Sequence, residues 1–125
     1  MNWTATGAIL LALAVITGAF GAHGLKGRLD DYSMSVYEKA VFYHFVHALG
    51  ILLVALLGRS GAIGPAGQAR VAWLLLIGIV IFSGSLYVLA VSGVKMLGAI
   101  TPIGGLAFIA GWLVLAYEAL RSPRG

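Results

Sequence analysis

Four long apolar runs divide the chain, each bounded by glycine, proline or charge. They predict spans over about 3–22, 36–58, 70–92 and 102–120, each near the roughly 20 residues that cross a hydrocarbon core about 30 Å thick. The expected fold is all-α: an integral membrane four-helix bundle with antiparallel up-down spans and short connections, forming one domain.

Local signals punctuate the runs. Gly7, Leu11, Ala14, Gly18 and Ala22 fall on one stripe of the first run, a small-residue surface that lets a neighbouring helix come close. Residues 23–34 become glycine-rich and then charged, and read as the first loop. The second run then opens with Ser35, Val36, Tyr37 and Glu38, the spacing of a capping box in which serine and glutamate satisfy each other's amides. That spacing makes Glu38 a cap rather than a catalytic acid. Residues 58–67 read as a linker, because glycines and a proline at this density break helix and strand alike. Residues 92–98 make a tight third connection, and Thr101 with Pro102 reads as an N-cap followed by proline at the first helical position. Gly104, Ala107 and Gly111 give the last run its own close-packing stripe.

The second run is the most informative. At about 100° per residue, Val36, Ala40, Tyr43, His44, His47, Gly50, Ile51, Val54 and Gly58 share one side, and Phe42, Phe45, Leu49, Leu52, Leu53 and Leu56 the other. Two imidazoles within four residues are costly in lipid, so the mixed side faces protein and the bulky side faces acyl chains.

Composition agrees. The chain has 125 residues, of which 61% are hydrophobic and 10% charged, far from soluble averages of about half apolar and a quarter charged. The net charge of +4 is spread over the ends of the runs, which suits headgroup anchoring rather than nucleic-acid binding. There is no cysteine, which excludes disulfides and thiolate chemistry. Residues 1–6 lack the basic start of a secretory signal and are expected to be retained. Arg59, Arg70, Arg121 and Arg124 fall on the side of the termini, and Lys26, Arg28, Lys39 and Lys95 on the other. The count is tied; the acids lie mainly on the second side, so cytoplasmic termini are the expectation.

Counted by halves of the bilayer, polarity is lopsided. Thr17 and His23 close the first span, Tyr43, His44 and His47 open the second, Ser83, Ser85 and Tyr87 lie late in the third, and Thr101 opens the fourth. All sit toward the first and third loops. The other half reads as aliphatic, with Trp3 and Trp73 as interfacial anchors. His23, Tyr43, His44, His47, Ser83, Tyr87 and Thr101 are therefore the candidate binding residues. They form either a hydrogen-bonded core or a small pocket. Ser85 points away from Ser83 and Tyr87 and is expected to bond its own preceding turn.

Catalytic readings fare poorly. Three histidines without cysteine and with only Glu38 near them make a weak metal or haem set, and no metal or cofactor is expected. Ser83 and Ser85 flank a glycine on a helix rather than on a nucleophile elbow, with no buried aspartate to orient a base. Residues 18–24 follow no strand and lack the lysine-serine ending of a phosphate loop.

Four stretches carry a family resemblance: Gly18-Ala19-Phe20-Gly21-Ala22-His23-Gly24-Leu25-Lys26, Tyr43-His44-Phe45-Val46-His47-Ala48-Leu49, Phe82-Ser83-Gly84-Ser85-Leu86-Tyr87 and Ile100-Thr101-Pro102-Ile103-Gly104-Gly105. In these the chain resembles the small four-helix membrane proteins catalogued as domain of unknown function number 423, found in bacterial inner membranes with a mitochondrial relative. The resemblance implies a polytopic inner-membrane (plasma-membrane) protein and supplies no catalytic residues. The leading expectation is a non-enzymatic accessory or structural protein whose polar half binds membrane lipid, a quinone-like molecule or a partner helix, alone or as a homo-oligomer. The alternative is an oligomeric small transporter or channel with a histidine-lined path, and a cofactor-bearing redox protein ranks behind both.

Overall fold

The computed structural model describes residues 1–122; Arg124, expected in water beyond the fourth span, lies outside them. Four helices are long and apolar enough to cross a membrane: α1 (Trp3–Leu25), α2 (Asp31–Ser60), α3 (Pro65–Ser92) and α4 (Thr101–Arg121). No strand occurs among the described residues. The bundle is built around α2, which packs against both α1 and α3, while α4 lies mainly on α3.

Small residues decide how close the helices come. The backbone of α1 approaches α2 so that a Cβ at Gly7 would meet Leu52 at 2.9 Å, and one at Gly21 would strike the Tyr37 ring. The α1–α2 stripe thus ends at Gly21 rather than at the expected Ala22, which is exposed. The physical reason is the last turn of α1, a π-turn over Gly21–Leu25, which changes the rotational register of the helix. A second π-turn, Ile79–Ser83, interrupts α3. Opposite it, Gly104 of α4 sits so near the Phe82 backbone that no side chain fits, and Gly111 packs on Leu75.

Both sides of α2 sort largely as the spacing predicts. Ala40, His44, His47, Gly50, Ile51 and Val54 are buried, whereas Phe42, Leu49, Leu53 and Leu56 are exposed to the surroundings of the bundle. Phe45 and Leu52 depart from that pattern. They are half-buried because α1 lies along their flank.

Three boundaries need correction. The helix α2 begins at Asp31, not near Ser35: the Asp30 side chain accepts the Ser33 amide at 2.7 Å, so the capping box of Ser35 and Glu38 does not form and Glu38 sits exposed on a helix already under way. Packing of Leu29 and Met34 against Leu25, Tyr37 and Ala90 supports this early start. The 58–67 linker shrinks to 61–64. Gly58 remains helical and serves close approach to Gln68, Gly61 ends α2 with φ +81°, and Pro65 opens α3. Finally, Thr101 does not cap α4. A 3₁₀ turn, Lys95–Ala99, runs into the helix, and the Thr101 hydroxyl turns back to the Leu97 carbonyl at 3.2 Å.

Candidate functional site

The polar side chains of the first-and-third-loop half resolve into separate ties, each fastening two or three helices. The longest joins α1, α2 and α3. His44 Nδ1 lies 2.8 Å from the Tyr87 hydroxyl, which lies 3.0 Å from Thr17 Oγ1. His44 Nε2 is buried with no hydrogen-bond partner among the described residues. The single Tyr87 proton goes to one of its two neighbours, His44 or Thr17, and the Tyr87 oxygen accepts from the other. The Thr17 hydroxyl also donates to the Ala14 carbonyl of its own helix at 3.1 Å. The Tyr37 hydroxyl adds a bond to the Thr17 carbonyl, closing α2 onto α1.

His47 is held differently. Its Nδ1 lies 2.8 Å from the Tyr43 carbonyl, which can only accept, so Nδ1 carries the proton. Nε2 is then left to accept the Trp112 indole N–H at 3.0 Å. Phe108 stacks on the imidazole with ring centroids 3.5 Å apart. With both nitrogens engaged, His47 has no lone pair left for a metal and no free edge for a path.

The serines fasten α3 on both flanks. Ser83 donates to the Ala40 carbonyl at 2.8 Å. Ser85 points the other way, as its spacing predicts, and bonds the Phe82 carbonyl at 3.0 Å, yet it also meets Thr101 at 2.6 Å and so joins α3 to α4. Of the seven candidates, His44 and Tyr87 share one tie, His47 takes the Tyr43 backbone, and Ser83 and Thr101 serve others. His23 joins none: it is exposed in the π-turn of α1. Thr17, Tyr37 and Trp112 complete the ties although the candidate set lacks them.

The termini-side half is not wholly aliphatic. Glu118 is buried, accepts from Arg70 at 3.0 Å and lies 4.0 Å from Arg121. Gly67 makes the room, since a Cβ there would meet the Glu118 carboxyl at 2.6 Å. This pairing neutralises arginines on which the expected orientation rested. Trp3, expected at the interface, is also buried and meets the half-exposed Trp73 edge-on at 5.3 Å.

A cleft of about 510 Å³ opens between α2, α3 and the start of α4, in the half that carries the ties. Tyr43 and Phe82, centroids 4.6 Å apart, are among its lining residues. Leu86, Leu89, Val36 and Pro102 give apolar walls, while Tyr32, Ser35 and Lys39 supply polar groups along one side of α2. No hydrogen bond or ion pair ties the side chains of Tyr32, Ser35, Lys39 or Tyr43 to another described residue. The arrangement suits a molecule with one polar and one apolar end.

Residues 17–105 match the family model described as a protein of unknown function, DUF423. Among curated proteins the chain is 52% identical to a UPF0382 membrane protein of Staphylococcus haemolyticus, over 92% of each chain. It is 48% identical to the UPF0382 membrane protein YwdK of Bacillus subtilis, over 92% of this chain and 93% of that one. No solved structure matches. The chain is a membrane protein and belongs to the DUF423 family.

Proposed function

We propose that the protein is a non-catalytic accessory component of the inner membrane that holds an amphiphile of the bilayer, a lipid or a quinone-like molecule, in the α2–α3–α4 cleft. The observation that carries this reading is the set of unbonded polar groups of Tyr32, Ser35, Lys39 and Tyr43 above walls of Phe82, Leu86 and Leu89. Ligand sites of this kind are mostly apolar with a few placed polar groups. The buried ties support the non-catalytic part. Their donors and acceptors are spent on neighbouring helices, and no nucleophile stands beside a free base. Spanning by helices rather than by a closed barrel supports an inner-membrane location.

Protein extracted in a mild detergent should carry a stoichiometric lipid or quinone, identified by mass spectrometry of the organic extract. Val36→Trp, which fills the cleft mouth, should lose it, while Val80→Trp on the exposed face should keep it. Purification with no bound amphiphile, or equal retention in both variants, would sink the reading.

A further inference from the structure

We infer that the occupant of the cleft is an anionic phospholipid, with its phosphate at Lys39 and an acyl chain against Phe82, Leu86 and Leu89. This rests on the amphiphile reading above and goes further by choosing among amphiphiles. Lys39 is the one charged side chain lining the cleft. Its neighbour Glu38 lines clefts on the other flank of α2, toward α1, where Asp31 and Lys26 also lie. Consecutive residues on a helix point about 100° apart, so α2 separates its charges and leaves the cleft positive.

Depth agrees with charge. Tyr32, Ser35, Lys39 and Tyr43 descend one side of α2, and at 1.5 Å per residue Lys39 stands about 6 Å nearer the loop than Tyr43. Lysine stems lie along apolar surface and carry the ammonium out toward the interface, where lipid phosphates are. The hydroxyls of Ser35 and Tyr32, nearer the loop, are further donors to phosphate oxygens. Below them, Phe82, Leu86 and Leu89 line the cleft with apolar surface. A neutral quinone can accept a hydrogen bond from Lys39 but leaves its charge uncompensated, and a zwitterionic headgroup offsets its phosphate with its own cation.

The test uses the whole protein equilibrated with vesicles of equal phosphatidylglycerol and phosphatidylcholine of matched chains, then read by native mass spectrometry. The wild type should retain phosphatidylglycerol about fivefold over phosphatidylcholine, the size of one interfacial lysine's attraction. Lys39→Gln should bring the ratio to about one, Lys39→Arg should keep it, and Arg59→Gln on the opposite side should leave it unchanged. A wild-type ratio near one with both lipids bound overturns this inference and leaves the amphiphile reading standing. A preference that survives Lys39→Gln overturns it as well, by placing the selecting charge elsewhere. Retention of neither lipid, together with an empty organic extract, overturns both.

Discussion

The Trp112 indole N–H donates to His47 Nε2 across 3.0 Å, and this one bond joins α4 to the centre of α2. Because Nδ1 is already committed to the Tyr43 carbonyl, the two bonds together fix the tautomer of the ring. Trp112→Phe removes the indole donor, strands the Nε2 lone pair and empties part of the space that the Trp112 ring fills against Gly50. The expected cost is about 1–2 kcal/mol, a lost membrane hydrogen bond plus an unsatisfied buried acceptor. Unfolding in detergent measures it. His47→Ala should cost less in the Trp112→Phe background than in the wild type, and additive costs would show that the two side chains do not cooperate.

The Tyr87 hydroxyl occupies the middle of the longest tie, so its loss should exceed the loss of either end bond. Tyr87→Phe leaves His44 with no bond at either nitrogen, for an expected cost of about 1–3 kcal/mol. Thr17→Val removes one bond of Tyr87 and leaves the His44 contact in place, and should cost under about 1 kcal/mol. A larger effect from Thr17→Val than from Tyr87→Phe, in the same denaturation assay, would show that Tyr87 is not the centre of the tie.

These ties also show what the sequence could and could not disclose. The inward placement of His44, His47 and Ile51 was legible because helical spacing is rigid and polar groups avoid lipid. His23 was not, because a π-turn cannot be read from the spacing that an α-helix predicts. Phe45 and Leu52 look lipid-facing on a helical projection, and only the approach of Gly7 and Gly18 from α1 covers them. Glu118 was legible and overlooked: Gly104, Gly111 and Glu118 recur every seven residues on one face of α4 and are all buried, yet an acid near the end of a span reads by habit as a water-facing anchor. Trp112 as a donor to His47 had no such signal, since the partner lies 65 positions away.

Two glycines of the α3–α4 region should respond in opposite directions to the same change. A Cβ at Gly104 collides with the Phe82 backbone nitrogen, which cannot rotate away as a side chain can. Gly104→Ala should therefore cost about 1–3 kcal/mol by overpacking. At Gly84 nothing lies within 4 Å of an added Cβ, and its backbone is helical. Gly84→Ala should stabilise by up to about 1 kcal/mol through helix propensity. Thermal unfolding of the two variants in one detergent tests the pair, and destabilisation by Gly84→Ala would mean that the face beside the π-turn is not open.

The Arg70–Glu118 pair predicts an asymmetry between its partners. Arg70 is more than half exposed, at 56%, whereas Glu118 is at 7%. Removing the arginine leaves a buried carboxylate with only Arg121 at 4.0 Å, which should cost about 1–3 kcal/mol, less than a fully buried pair because Arg70 is hydrated. Glu118→Gln, which keeps the shape and releases both arginines to water, should cost less than Arg70→Ala. Equal losses in the two single variants would mean that the carboxylate left beside Gly67 without Arg70 carries no burial penalty.

The cap of α2 carries a pH signature outside the membrane. The Ser33 amide, bonded to Asp30 at 2.7 Å, holds the Asp30 carboxyl below the usual aspartate range. A folded-state pKa that is depressed stabilises the cap fully above the unfolded value, near 4, and the contribution fades as pH falls through the folded value. Hydrogen exchange at the Ser33 amide, corrected for its intrinsic rate, should lose protection as pH falls below about 4 in the wild type. Asp30→Asn keeps an acceptor without a titrating proton, and its protection should be flat over that range. Asp30→Ala should be unprotected throughout, whereas wild-type protection in Asp30→Ala would return the start of α2 to Ser35 and Glu38.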